Sequence, residues 1–308
     1  MRRAFFIVGP TATGKSEIAA DVAREVGAEI VSADAFQIYR GLDLLTAKPE
    51  PATLAKAPHH LIGTMPLIKE MNAEEYRQHA MLAIEEINSR GKLAVVVGGS
   101  GLYIKALTHG LAPLPESDPK LREKLNAMSL DDLRVQLSDL DPEMARKIDL
   151  KNRRRLVRAL EICLLTGKPA SKVVAGIADL GRLGSSMPAP GVFVFRDRED
   201  LYERINRRVQ AIFERRVIEE VRTAAMMSAT ASQMIGLRDV RELLAGKKSF
   251  SQCVSEIQQA TRRYAKRQLT WFRRQSNFLP LNLSSLSHHE AVKWISLRIL
   301  SESDTRDD

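Results

Sequence analysis

The stretch Ile7-Val8-Gly9-Pro10-Thr11-Ala12-Thr13-Gly14-Lys15-Ser16, IVGPTATGKS, decides how the rest of the chain is read. Gly9, Gly14, Lys15 and Ser16 fit the spacing G-x-x-x-x-G-K-[ST]. In that pattern the glycines let backbone N–H groups close around phosphate oxygens, the lysine adds a point charge, and the hydroxyl can sit on Mg²⁺. Ala4 to Val8 reads as a short buried strand, and Glu17 to Val26 carries apolar residues at helical spacing. An anion held by the loop would therefore lie on a helix N-terminus. A glycine-rich turn that binds nothing is the other reading of the same letters. The strand before and the helix after favour a phosphate or diphosphate site, with Ser16 the candidate metal ligand.

Outward from the loop, short apolar runs alternate with helical patterns. "EIVSADAFQIY" contains a strand at Glu29 to Ser32, Tyr76 to Ile87 reads as a helix, and "KLAVVVGGSGLYIKAL" reads as strand, glycine turn and helix. Such alternation implies βαβ units: an α/β fold with a P-loop NTPase-like parallel sheet, whose strand-end loops form the site. Asp34 and Gly98 to Gly101 are then expected to converge on the phosphate loop. A P-loop ATPase usually places a metal-binding acid at the end of a buried strand. Here the best buried strand, Leu93 to Val97, ends in glycines, and the strand-end acid is Asp34 on a different strand. Asp34 in that place is either a turn cap or a general base for a nucleophile that must lose a proton.

From Pro115 to Gly184 the strand signals vanish. Ser129 stands three residues before Asp132 as a helix cap, and Asn152 to Leu165 is strongly helical. The expected layout is a core of residues 1–114 and 189–308, with basic C-terminal helices, and an all-helical insertion at 115–188. "GSSMPAPG" reads as a linker, "VFVFRDR" as a returning strand, and two Arg-rich helical stretches as the completion of the fold.

The 308 residues, 44% hydrophobic, suffice for a substantial core. No apolar run approaches the roughly 20 residues that span a bilayer, and "MRRAFFIVGP" has no cleavage signal, so a soluble, cytoplasmic protein is expected. Cys163 and Cys253 fall in helix-like sequence as small buried hydrophobes rather than a disulfide or metal pair. The net charge of +9 points to a polyanionic partner, unless it is only a solvated basic surface. The charge is clustered. "KNRRRLVRALE" holds Lys151, Arg153, Arg154, Arg155 and Arg158, with Arg154 and Arg158 on one helix face. "TRRYAKRQLTWFRR" sets Arg262, Arg263, Lys266, Arg267, Arg273 and Arg274 around Tyr264, Trp271 and Phe272 without an acid. Either run alone is as well read as a solvated face, and its aromatics as core. Two of them beside a phosphate site point to nucleic acid.

"GPTATGKS", "SADAFQIYRGLDLLTAKP", "PHHLIG", "VVVGGSGLYIKAL", "NRRRLVRALE", "QMIGLRD" and "TRRYAKRQLTWF" occur in the order seen in tRNA dimethylallyltransferases, the tRNA isopentenyltransferases of bacteria, which the chain resembles from Gly9 to about Phe272. The resemblance implies transfer of a dimethylallyl group from dimethylallyl diphosphate to N6 of adenine-37, beside the anticodon of tRNAs that read codons beginning with U. It makes the loop Gly9, Pro10, Thr11, Ala12, Thr13, Gly14, Lys15 and Ser16 the holder of a diphosphate leaving group with Mg²⁺. Asp34 matches the family's base. Thr11 belongs to the same loop, and Arg204 and Arg208 of "LYERINRR" match its arginine pattern.

By the same resemblance Asp34, Ala35, Phe36 and Gln37 hold a flipped base. Ser100 and Arg122 touch tRNA, Arg154, Arg155 and Arg158 grip it from the insertion, and Lys266 and Arg267 meet it from the C-terminal segment. The implied partners are the anticodon stem-loop and dimethylallyl diphosphate, with no membrane, and the chain is taken as a monomer. Three positions depart from the family pattern: Ala35 stands where a serine is frequent, Ser100 where a threonine is frequent, and Asn152 where some members have an acid. An adenylate isopentenyltransferase acting on free nucleotide shares the loop and the aspartate. A small-molecule kinase shares them too, but has no need of the helical insertion or the basic C-terminal segment.

Overall fold

The apolar run AFFIV forms a strand because every one of its side chains has somewhere dry to go: Ala4 to Val8 are all buried. The computed structural model describes residues 4–111, 114–180, 190–224, 226–275 and 277–304. In chain order the elements begin with β1 (Ala4–Val8), α1 (Lys15–Val26), β2 (Glu29–Ala33), α2 (Pro51–Leu54), β3 (His59–His60), α3 (Ala73–Ser89), β4 (Ala94–Gly98) and α4 (Gly101–His109). Five helices follow: α5 (Pro119–Ala127), α6 (Leu130–Leu140), α7 (Pro142–Lys147), α8 (Arg153–Thr166) and α9 (Ala170–Leu180). The chain then returns through β5 (Gly191–Phe195), α10 (Arg198–Glu214), α11 (Val217–Arg222), α12 (Leu237–Leu244), α13 (Phe250–Phe272), β6 (Leu279–Asn282) and α14 (His288–Asp304).

The six strands form one sheet in the order β3-β2-β4-β1-β5-β6, every pair parallel. Continuous apolar strands belong in such a sheet, because helices cover both faces. Phe6, Val8, Val31, Val96 and Phe193 point to one side, where they pack with Ile84 of α3, Ile104 of α4, Ile205 of α10 and Phe272 of α13. Phe5, Ile7, Ile30, Val95 and Val194 point to the other, under Ile18 and Val22 of α1 and Ile295 and Ile299 of α14. Among the described residues no helix is long and apolar enough to cross a membrane.

Two compact units divide the chain: Met1–Thr108 with Met187–Asp308, which holds the sheet, and His109–Ser186. The second has its own core of Leu125, Leu133, Leu137, Leu156 and Leu160. Ser129 and Asp132 form a reciprocal capping box at the start of α6, as their spacing suggests. Asp141, 1% exposed, ties the unit together: it accepts from the Met144 N–H at 2.9 Å and from the Ser171 N–H and hydroxyl at 2.6 and 2.8 Å. Cys163 and Cys253 are both buried and unpaired.

The linker read at Gly184 to Gly191 lies, up to Ala189, outside the described residues. β6 and α14 go beyond the two Arg-rich helical stretches expected to complete the fold. β6 is an edge strand of four residues with Pro280 inside it and two exposed side chains, so its sequence lacks the apolar signal of a central strand.

Candidate active site

Gly9 follows β1 where the chain passes so close to β5 that a Cβ would stand 2.1 Å from the Val194 carbonyl oxygen. Gly14, at φ 91°, caps α1 in the left-handed region that L side chains avoid. Between them the loop is held by its own groups. The Pro10 carbonyl accepts from the Thr13 hydroxyl at 3.0 Å and from Lys15 Nζ at 3.2 Å. Ala12 is also left-handed, at φ 65°, and its carbonyl accepts from Arg204 Nε at 2.9 Å. Arg208 Nη1 donates to the Thr11 hydroxyl at 2.8 Å. Arg196, just past the end of β5, donates through Nε to the Thr13 carbonyl at 2.8 Å. Three arginines from one strand-to-helix segment therefore fix the outer side of the loop.

The end of β4 closes the other side. The Gly9 N–H donates to the Gly98 carbonyl at 3.2 Å, and the Ser100 N–H to the Ala33 carbonyl at 3.2 Å, so the glycine turn, the end of β2 and the phosphate loop meet. Asp34 stands there, half-buried. One of its carboxylate oxygens, Oδ1, accepts from the Phe36 and Gln37 N–H groups at 2.9 and 3.2 Å, which makes it the cap of its own turn. The Ser100 hydroxyl accepts from the Ala35 N–H at 3.0 Å. Gln37 donates its amide N–H groups to the Thr46 and Ala47 carbonyls at 3.3 and 2.9 Å. Phe36 is half-buried against the core.

Charge explains what the geometry can do. Burial lowers the Lys15 ammonium to about 8, although the Asp34 carboxylate pulls it upward, and Arg208 adds to the lowering. Burial also lowers Arg208, to about 10, against the pull of Asp34. Two cations that are costly to keep charged here are cations a bound anion would relieve. The N–H groups of Ala12 to Ser16, Lys15, Arg204 and Arg208 gather where an anion could be held, with the Asp34 carboxylate within electrostatic reach of Lys15 and Arg208. Among the described residues no group of three or more His, Cys, Asp or Glu side chains is placed to hold a metal ion.

The basic segments prove less uniform than their sequences. On α13, Lys266 and Arg267 are exposed. Its aromatics serve the interior: Phe272 is 1% exposed and stacked on Phe193, and Trp271 lies across Gly101, where a Cβ would come within 2.7 Å of the indole. Tyr264 hydrogen-bonds to Ser100, and burial together with Asp34 raises its pKa. In the helical unit Arg154 and Arg155 are exposed. Arg158 Nη1 and Arg122 Nη2 instead both reach one oxygen of Glu161, at 2.6 and 2.7 Å, and that carboxylate is fully buried. Arg154 and Arg158, grouped by helical spacing, do different work.

Two residues of the core site escaped the sequence reading. Gln268, 6% exposed, bridges the Thr11 N–H and the Gly99 carbonyl. Arg196 offered a usable signal, since it follows a buried strand just as Asp34 does. Gln268 offered none.

Known proteins resemble the chain along most of its length. A family model described as IPP transferase matches residues 37–275. The tRNA dimethylallyltransferase of Akkermansia muciniphila is 43% identical over 270 residues, which cover 88% of this chain and 90% of that protein. One from Citrifermentans bemidjiense is 40% identical over 275 residues, 87% and 88% of the two chains. The crystal structure of a full-length tRNA isopentenylpyrophosphate transferase from Bacillus halodurans superposes with a TM-score of 0.71 at 30% identity, covering all of both chains. A eukaryotic dimethylallyltransferase solved acting on tRNA shares the fold, with a TM-score of 0.78 at 23% identity over 99% of this chain and 80% of its own. With a phosphate loop built as its spacing requires and relatives matched along most of its length, the chain belongs to the tRNA dimethylallyltransferase family of P-loop-like α/β transferases.

Proposed function

We propose that the chain transfers the dimethylallyl group of dimethylallyl diphosphate to N6 of adenine-37 in tRNAs that read codons beginning with U, releasing diphosphate. The observation that carries this reading is the Asp34 carboxylate, set at the end of β2 within electrostatic reach of Lys15 and Arg208. A kinase would share both the anion cradle and the aspartate; in a family whose named members act on tRNA, a base beside the cradle suits an amine attacking carbon.

In the reaction the allylic C–O bond breaks with its electron pair passing to the diphosphate, N6 forms the new bond to carbon, and the amine loses a proton. The N–H groups of Ala12 to Ser16, with Lys15, Arg204 and Arg208, receive the growing negative charge, while those of Gly9 and Thr11 hold the loop in place; such preorganised donors are usually the largest single contribution to catalysis. Thr11 links Arg208 to the loop. Asp34 takes the N6 proton on Oδ2, because Oδ1 is occupied by its own turn. Ser16, at the start of α1, is the protein oxygen available to Mg²⁺, a hard cation commonly held by one or two protein ligands and substrate phosphates. Bound there with the diphosphate, Mg²⁺ would supply further charge neutralisation to the leaving group.

The flipped adenine and its neighbours are held by the turn Asp34, Ala35, Phe36 and Gln37, with Ser100 beneath it. The tRNA backbone is met by Lys266 and Arg267 in the core unit and by Arg154 and Arg155 in the helical unit. Arg122 and Arg158, paired with the buried Glu161, hold together the helical unit that carries those arginines. Action on tRNA is consistent with a monomer working in the compartment that holds tRNA, the cytoplasm.

Purified protein mixed with unmodified tRNA and labelled dimethylallyl diphosphate should yield labelled tRNA, whereas AMP as acceptor and ATP as donor should yield no product. Asp34→Asn, which keeps the Oδ1 acceptor that caps the turn but cannot take a proton, should bind tRNA nearly as well but lower single-turnover transfer by a factor on the order of a hundred. A variant that turns over at nearly the wild-type rate removes Asp34 from the chemistry, and labelled AMP in place of labelled tRNA replaces the acceptor.

A further inference from the structure

Gln268 sits on α13 in the middle of the most basic run of the chain, yet it is 6% exposed and points away from solvent. Its side-chain oxygen accepts from the Thr11 N–H at 2.9 Å, and its side-chain nitrogen donates to the Gly99 carbonyl at 2.8 Å. Room for it is provided locally: a Cβ on residue 99 would lie 2.3 Å from that nitrogen. Both amide groups are satisfied, so the side chain has one orientation rather than two.

What this contact fixes is a single peptide plane. The Thr11 N–H and the Pro10 carbonyl belong to the same rigid, trans unit and point in opposite directions. When Gln268 holds the N–H on one side, the carbonyl is held on the other, where it receives the Thr13 hydroxyl and Lys15 Nζ. Thr11 also presents its own hydroxyl to Arg208. Rotation of that one plane would release Lys15 from its anchor and change where Thr11 presents Arg208.

We infer that Gln268 is a positioning residue for the diphosphate: it locks the Pro10–Thr11 peptide so that Lys15 and Arg208 face the leaving group. The inference rests on the reading of the loop as a diphosphate site and assigns Gln268 no contact with tRNA, although its neighbours Lys266 and Arg267 lie on the same helix.

The test uses the full chain with Gln268→Met, which keeps the volume and removes both hydrogen bonds. The expected result is selective. Inhibition by inorganic pyrophosphate weakens about tenfold, the KM for dimethylallyl diphosphate rises in parallel, and the KM for tRNA stays within about twofold, since burying unpaired polar groups costs the loop and not the basic face. A residue that merely fills space would lower the melting temperature without separating the two substrates. Gln268→Asn, whose amide falls one methylene short, should show the same split and serves if the methionine variant does not fold. Pyrophosphate inhibition within twofold of wild type, or tRNA affinity falling in step with it, overturns the inference. Pyrophosphate affinity is measurable without turnover. Wild-type protein that binds pyrophosphate but prenylates no tRNA would therefore refute the proposed activity, while the variants still decide the role of Gln268.

Discussion

Burial lowers the pKa of Lys15 to about 8, and the residue thereby becomes a pH-sensitive element of the loop. In the unfolded chain the same ammonium titrates at its ordinary value of 10.5. Below about pH 8 both states carry the proton, and the fold bears the full cost of a buried cation. From about 8 to 10.5 the unfolded state binds the proton and the folded state does not, so this site's contribution to stability rises with pH across that window. Diphosphate binding runs the other way, because a bound anion favours the charged amine. Pyrophosphate should therefore bind more weakly as pH climbs above about 8, by up to about tenfold per pH unit relative to Lys15→Met, which lacks the titrating group. Calorimetry in two buffers of different ionisation enthalpy reads the proton taken up. If wild type and Lys15→Met show the same slope, Lys15 does not face the phosphates.

Along α8 neighbouring arginines divide into two kinds, and the division is testable. Arg158 shares the buried Glu161 carboxylate with Arg122, whereas Arg154 and Arg155 project from the exposed side. Replacing Arg154 and Arg155 together with Gln should weaken tRNA binding and lower the magnitude of its salt dependence by about one to two counterions, with melting unchanged. Arg158→Gln should instead destabilise the helical unit by roughly 1–3 kcal/mol, because a buried carboxylate loses one of its partners. Thermal melting and a salt series on both variants separate the two outcomes; an Arg158→Gln protein that melts like wild type would return that residue to the tRNA surface. The same helix shows what a sequence can and cannot disclose. Helical spacing placed Arg154 and Arg158 on one face, but which cation is engaged depends on Glu161, whose burial is a property of packing. At the loop, Gly9 to Ser16 were legible because the chemistry lies in eight consecutive residues. Asp34 was legible because a parallel sheet gathers its strand ends at one edge. Arg196 left only the signal of its strand end, its partner in the loop lying 183 residues away, and Gln268 left none, since its partner lies 257 residues away and no local period records such a pairing.

Across the whole molecule the order of strands in the sheet is far from their order in the chain. β1 lies inside the sheet between β4 and β5, its loop is fastened by arginines of the β5–α10 segment, and the last fastening comes from α13. Viewed in time rather than space, the phosphate loop is among the first parts of the chain to be synthesised and among the last to be finished. At about 5–20 residues per second, roughly 13 to 50 s pass on the ribosome between Thr11 and Gln268. During that interval the apolar run Phe5-Phe6-Ile7-Val8 has no strand beside it until β4 is made. Ribosome-stalled chains that end before α13 should gain no protection from proteolysis when pyrophosphate is added, and chains in which α14 has emerged should gain it. Protection already present in the shorter chains would show that the cradle forms without its distant supports. A chain released by a stop codon before α13 would carry every residue of the phosphate loop and still lack Gln268, the partner of its Thr11 N–H.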